Sequence, residues 1–264
     1  MKKIACLTFL LCFCRFTMAQ QQDLYQKKVY IQGKDTLRYR ILYPEHYRPS
    51  KSYPLIVFMH GSGERGNDNG AQLLHGGDLF AKDKIRDHFP AIVVFPQCPK
   101  DSTWSRFKRG NDPSGFTFLT EETPPVPQLL LKNLMDSLRN NGHADRKRIY
   151  LGGLSLGAIG AYDMLIRYPN YFAAVFAICG AGNVPLLVKN AKHVPMWIFH
   201  GALDNVVLPY ANRELYKAMI TSGAKEVNYT EYPKANHNSW DSAFAEPKLL
   251  PWIFSNKNKK PAAP

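Results

Sequence analysis

Cysteine and acidic residues are both scarce in this chain, and each shortage narrows what it can be. Five of its 264 residues are cysteine, and Cys6, Cys12 and Cys14 lie within the first fourteen positions, leaving Cys98 and Cys179 for the rest. One bridge between those two is open in an oxidising compartment; two buried free thiols are the alternative, since each follows an apolar, strand-like run. No Cys or His spacing matches a metal-binding pattern, no internal repeat is visible, and no nucleic-acid motif accompanies the basic residues. Asp and Glu number 21 against 34 Lys and Arg, a formal charge of +13. The basic residues are scattered, with one dense cluster at 257–260, which reads as solvated surface rather than a nucleic-acid face. No apolar run is long enough to span a membrane: the longest, from Ile4 to Phe16, is too short and wrongly flanked.

That run sits in MKKIACLTFLLCFCRFTMAQ, where Lys2 and Lys3 precede the apolar stretch and Thr17, Met18 and Ala19 supply small residues. The pattern is that of a secretory leader covering 1–19 and cleaved after Ala19, which places the mature chain in the periplasm or outside the cell with no stable membrane anchor. Residues 20–256 then read as one α/β domain, and 257–264 as a disordered basic tail.

Within the domain, VYIQGKDTLRYRILYPEHY alternates apolar and polar residues around Gly33 and predicts an antiparallel hairpin. LIVFMHG, AIVVFPQ, RIYLGG, AAVFAICG and PMWIFHG are short continuous apolar runs ending in Gly or Pro, the look of strands buried on both faces. Helical stretches at 126–141, 156–168 and 209–222 alternate with them, and VNYTEYP is the last strand. The expected fold is α/β: a mostly parallel sheet with the hairpin at one edge and helices on both faces. Residues 106–128, rich in Pro, Gly and Phe, break the rhythm. They are expected to form either a flap beside a site or a surface excursion packing its own aromatics.

Chemistry gathers at YLGGLSLGAIGAYD. Gly153-Leu154-Ser155-Leu156-Gly157 is a Gly-x-Ser-x-Gly run between a strand and a helix, a turn that lifts a serine hydroxyl out at the foot of the helix. Such a serine needs a base, and the base an orienting acid. His237 follows the last strand, Asp204 follows PMWIFHG, and the order Ser155, Asp204, His237 is the one this architecture uses. A surface histidine and a turn-forming Asp are the bland alternatives taken singly. The Gly-rich turn from His60 to Gly63 is placed to aim one backbone N–H at a carbonyl oxygen and Leu156 to aim another, with His60 bracing the turn. No Lys is present to make that turn a phosphate loop.

With FMHGSGERGND, FPQCP, GLSLGAIGAYD, FHGALDNVV and EYPKANHNSWDSAF in place, the chain resembles α/β-hydrolases. More narrowly it resembles the secreted esterases grouped with polyhydroxybutyrate depolymerases, feruloyl esterases and predicted peptidases, close to carbohydrate esterase family 1. The likeness runs from Val29 to about Trp252, with Leu156-Gly157-Ala158 in place of the frequent Met-Gly-Gly. It implies Ser155 as nucleophile, Asp204 and His237 as its partners, and the Ser62 and Leu156 amides as an oxyanion hole. No cofactor or metal is needed for that chemistry. The expected substrate is an ester, an acylated plant-wall oligosaccharide carrying feruloyl or acetyl groups, with nucleic acid excluded and the oligomeric state open. A secreted peptidase or polyester depolymerase is the alternative, and a binding protein with a dead site a more distant one. Trp104, Trp240 and Glu64 are candidate substrate contacts, with core packing the alternative for the tryptophans and loop solvation for Glu64, Arg65 and Asp68.

Overall fold

The computed structural model describes residues 23–110 and 114–259. The expected leader and its cleavage point after Ala19 lie outside the described residues, as do 260–264 of the expected tail. Ten strands are described: β1 (Gln26–Gln32), β2 (Asp35–Leu42), β3 (Tyr53–Met59), β4 (Ile92–Gln97), β5 (Phe107–Arg109), β6 (Phe116–Phe118), β7 (Ala144–Leu154), β8 (Ala174–Ile178), β9 (Met196–Gly201) and β10 (Val227–Tyr232). Eight form one sheet in the order β1-β2-β4-β3-β7-β8-β9-β10, and β5 pairs with β6 apart from it. From β4 to β10 every pairing is parallel, while β1 and β2 form the antiparallel edge hairpin. Gly33 turns that hairpin at φ +59°, a backbone region that favours glycine.

Among the described residues, eight α-helices accompany the sheet: α1 (Gly77–Ala81), α2 (Asp83–His88), α3 (Val126–Asn140), α4 (Leu156–Arg167), α5 (Val184–Ala191), α6 (Tyr210–Thr221), α7 (Trp240–Phe244) and α8 (Leu249–Ser255). Side chains alternate across a strand, so a run without polar residues must be covered on both sides. In β3, Leu55, Val57 and Met59 join a core with Leu131 and Met135 of α3, Ala161 and Leu165 of α4, Leu187 of α5 and Leu215 of α6. Ile56 and Phe58 point the other way, into a second core with Phe80 of α1, Ala243 of α7 and Ile253 of α8. Among the described residues no helix is long and apolar enough to cross a membrane.

The structure bears on several of the expectations. In the 106–128 segment, 107–109 and 116–118 pair as the β5–β6 hairpin, and 126–128 already belong to α3. Phe116 is buried against Ile159, Ala181, Val207 and Ala211, with the rings of Phe107 and Phe118 at 5.4 and 5.9 Å, so the segment does pack its own aromatics. The tail is ordered at its start, because Asn258 donates its backbone N–H to Lys147 O at 2.8 Å and its side-chain N–H to Asn170 O at 2.7 Å. Cys98 and Cys179 are both buried and free. They follow β4 and β8, three strand steps apart in the sheet, or roughly 14 Å, against a limit of about 7 Å between the Cα atoms of a disulfide.

Candidate active site

Ser155 occupies the junction of β7 and α4 at φ 50°, ψ −117°, a conformation strained for a residue with a side chain. Serine before a helix ordinarily caps it by accepting an N–H from the first turn, yet Ser155 makes no such bond. Its backbone is held instead, its N–H donating to Ile178 O at 2.8 Å and its carbonyl accepting from Ile159 N–H at 3.0 Å. Two glycines permit the turn. A Cβ on Gly153 would lie 2.4 Å from the Gly157 carbonyl, and one on Gly157 would lie 1.9 Å from Met59 O. Strand, turn and helix approach so closely that no larger residue fits at either position.

With the cap unmade, the Ser155 hydroxyl faces His237, whose Nε2 lies 2.9 Å from Oγ. On the far side of the ring, Nδ1 lies 2.7 Å from Asp204 Oδ2. Because an ionised carboxylate only accepts, Nδ1 carries the ring proton and donates it, which leaves Nε2 to accept from the serine O–H. The other carboxylate oxygen, Oδ1, accepts the backbone N–H groups of Val206 and Val207 at 2.9 and 3.0 Å. Burial opposes the Asp204 charge, but these bonds and those from His200 and His237 outweigh it and hold the carboxyl well below the usual carboxylate range. The two loops are tied together: Asn236 Oδ1 accepts from His237 N–H at 2.8 Å and from Asn205 N–H at 3.3 Å. Ser155, Asp204 and His237 thus stand beyond the carboxyl ends of β7, β9 and β10, where open parallel sheets hold their ligands.

The Gly-rich turn after β3 passes directly beside the serine, since a Cβ on Gly61 would sit 3.7 Å from Ser155 Cβ. Ser62 is exposed there, and Leu156 is the first residue of α4, so its N–H has no acceptor within the helix. The positive end of α4 adds to the pull on negative charge at this spot. His60 holds the turn from beneath. Its Nε2 accepts Cys98 N–H at 3.0 Å, so Nδ1 bears the proton and donates to Gly61 O at 2.6 Å.

Burial pushes the His60 imidazolium down to about 4, although the Gly61 carbonyl pulls the other way. A histidine in the unfolded chain titrates near 6.5, so between about pH 6.5 and 4 the unfolded state carries a proton that the folded state refuses. Stability therefore falls as pH drops through that window, by about 3 kcal/mol in full. Urea unfolding at pH 7 and 4.5 checks this: wild type should lose more stability than His60→Gln, and equal losses would contradict it.

The candidate substrate contacts divide. Trp104 is a core residue: it is fully buried, its Nε1–H donates to His60 O at 3.2 Å, and a Cβ on Gly160 would meet its Cβ at 2.4 Å. It cannot stack on a ligand. Arg65 donates to the carbonyls of Ser62 and Ser102, and Asp68 accepts from Gly70 and Ala71 N–H, so both shape the loop. Trp240 is half-buried and meets the His237 ring edge-on at 5.6 Å, with His75 at 4.8 Å on it and buried Glu64 3.6 Å from His75. His75 lies in the turn GG-flanked LLHGGD, which carries no signal of a site.

Cys179 offers Sγ within 4.8 Å of ligand atoms on Asp204 and His237, a grouping that ligand spacing did not reveal because 25 and 33 residues separate its members. Burial pushes the thiol far up, so it stays protonated and neither competes as nucleophile nor offers a thiolate to a metal. A cavity of about 710 Å³ lined by Pro169, His193, Glu226 and Lys257 sits by the amino ends of β8 to β10 and shares no residue with this cluster.

The chain is similar to several known proteins. The chain is 28% identical over 165 residues to a bifunctional acetylxylan esterase/xylanase of Neocallimastix patriciarum, an alignment covering 61% of this chain and 21% of that protein. It thus spans about a fifth of that relative. It is 27% identical over 222 residues to a poly(3-hydroxyoctanoate) depolymerase of Pseudomonas fluorescens, covering 78% and 74% of the two. The crystal structure of a thermostable esterase matches with TM-score 0.80 and 30% identity over 90% of this chain and 64% of that one. With the phospholipase/carboxylesterase profile matching residues 47–248, the chain belongs to that family and has the α/β-hydrolase fold.

Proposed function

We propose that this hydrolase is a serine esterase acting outside the cytoplasm, removing acetyl or feruloyl groups from polysaccharide fragments. The observation that carries the reading is the unbroken line from Ser155 Oγ through His237 to Asp204, at 2.9 and 2.7 Å. Ser155 Oγ attacks the ester carbonyl carbon as its proton passes to His237 Nε2, and the carbonyl oxygen takes up negative charge facing the Ser62 and Leu156 N–H groups. The C–O bond to the alcohol then breaks, and His237 returns the proton to the leaving oxygen. Water repeats the sequence on the acyl-enzyme, releasing the acid and free serine. Asp204 keeps the imidazole in the tautomer that accepts from serine and balances its charge when it becomes cationic.

The acetylxylan esterase relative supports the substrate class, and the leader-like start of the chain supports the location. Trp240 provides a ring beside His237 on which a sugar or an aromatic acyl group can rest. A second reading, polyester depolymerase, is favoured by the acid loop: Leu203 and Val206, on either side of Asp204, are 59% and 46% exposed, and Leu208 and Tyr210 continue the apolar rim. A panel of methyl ferulate, acetylated xylo-oligosaccharides, short polyhydroxybutyrate and a peptide anilide separates the readings. A feruloyl or acetyl ester should exceed the others in kcat/KM by roughly tenfold or more, as pocket contacts commonly discriminate. Fastest turnover of the polyester would favour the second reading, and fastest turnover of the anilide would contradict both.

A further inference from the structure

Behind Asp204 runs a polar chain that the acyl-transfer steps leave unused. His200, in β9, is fully buried, and so is Asn212 in α6 and Tyr162 in α4. Asn212 Nδ2 lies 2.8 Å from His200 Nδ1, and the Tyr162 hydroxyl donates to Asn212 Oδ1 at 3.0 Å. On the opposite side of the ring, His200 Nε2 faces two oxygens, Val207 O at 2.9 Å and Asp204 Oδ2 at 3.2 Å.

These neighbours leave one arrangement of the proton. Two acceptors face Nε2, so Nε2 bears the hydrogen and shares it between them; Nδ1 then accepts from the Asn212 amide, whose oxygen takes the tyrosine proton. Every ring nitrogen and amide atom is satisfied, and the histidine has no freedom to turn. An apolar trio would fill the same volume without the desolvation cost of three polar side chains, so burial alone gives no reason for them. Their common terminus does: Oδ2 is the oxygen that also receives His237 Nδ1–H.

We infer that His200, oriented by Asn212 and Tyr162, is a positioning residue that fixes Asp204 Oδ2 toward His237 and ties the carboxylate to the acid loop through Val207 O. The inference rests on the esterase reading above, in which Asp204 orients the base. Without the Nε2–H donor, Oδ2 keeps His237 as its single anchor while Oδ1 stays held by the Val206 and Val207 N–H groups, so the carboxylate can tilt about that fixed edge and His237 is less often aligned with Ser155. The ground-state site for substrate is untouched.

The test uses His200→Leu, His200→Gln and Asn212→Leu in the full chain, with p-nitrophenyl acetate kinetics, thermal unfolding and the low-field proton NMR signal of His237 Nδ1–H. His200→Leu should lower kcat by about 10- to 100-fold, the scale of a hydrogen bond to a charged group, with KM changed by less than about twofold. Its low-field signal should shift or broaden. His200→Gln restores an amide N–H toward Asp204 and should recover most of kcat and the signal. Asn212→Leu keeps the histidine but frees its ring and should show a smaller fall in kcat, which keeps the idea open to refutation should His200→Leu not fold. Wild-type kcat in either leucine variant, or equal impairment of Gln and Leu with the NMR signal unmoved, would overturn the positioning role. If Ser155→Ala keeps its activity, the esterase reading itself falls; if Ser155→Ala is inactive while His200→Leu is normal, only the positioning role does.

Discussion

Ser155→Ala should remove ester hydrolysis and leave the fold intact. On p-nitrophenyl acetate kcat should drop by roughly 10⁶-fold, the loss seen when a serine nucleophile is taken from a triad. What remains is the acceleration that polarising amides alone provide, roughly 10³- to 10⁴-fold over water. The substitution is structurally mild. Ser155 Oγ caps no helix and meets His237 at a half-buried surface, and the bonds of its main chain to Ile178 and Ile159 survive in alanine. Stability should therefore change by less than about 1 kcal/mol, and near-native unfolding curves are part of the expected result. A rate within tenfold of wild type would mean that another group attacks the ester.

Asp204→Asn carries the next largest effect, and its direction follows from the hydrogen bonds around the carboxylate. Oδ1 is committed to two donors, the N–H groups of Val206 and Val207, so an asparagine keeps its oxygen there. Its amide nitrogen then faces His237 Nδ1 and His200 Nε2, where the carboxylate now receives both protons. Two donors cannot share that space. The His237 ring is driven to place its proton on Nε2, the atom that has to accept from Ser155, and kcat should fall by about 10⁴-fold. Because the native carboxyl is held well below the usual range, wild-type activity owes nothing to Asp204 titration near neutral pH. An Asn variant within tenfold of wild type at pH 7 would show that the carboxylate does not govern the tautomer.

Much of this arrangement can be read before any coordinates are seen, and the reason is physical. A strand buried on both faces is apolar at nearly every position, so β3, β4, β8 and β9 stand out as apolar runs, interrupted only near their carboxyl ends by Gln97 and His200. In a parallel sheet the carboxyl ends of all such strands share one edge, so the residues just past LGGL, WIFHG and the last strand are neighbours whatever lies between them. Gly153 and Gly157 mark the turn because backbone approaches backbone there.

Other features left no comparable trace. Helices α1, α2 and α7 have five or six residues, fewer than two turns, too few for a 3.6-residue periodicity to register. Trp104 looks like a site residue by its place after FPQCP, yet its direction is decided by Gly160 and His60, more than forty residues away in each sense of the chain. His200 hides within an apolar strand, and only the positions of Asn212 and Asp204 give it a purpose. The lysines after Trp252 read as solvated, while Asn258 fastens that stretch to Lys147 and Asn170. Composition records how a segment likes water; it does not record which distant carbonyl will meet it.

The most direct measurement is covalent capture with a p-nitrophenyl alkylphosphonate, followed by mass spectrometry of the intact protein and of its peptides. One phosphonyl group per chain should appear, located on Ser155, in step with loss of esterase activity and absent from Ser155→Ala. Inactivation with the label on any other residue, or no label on an inactivated protein, would contradict the account at its centre.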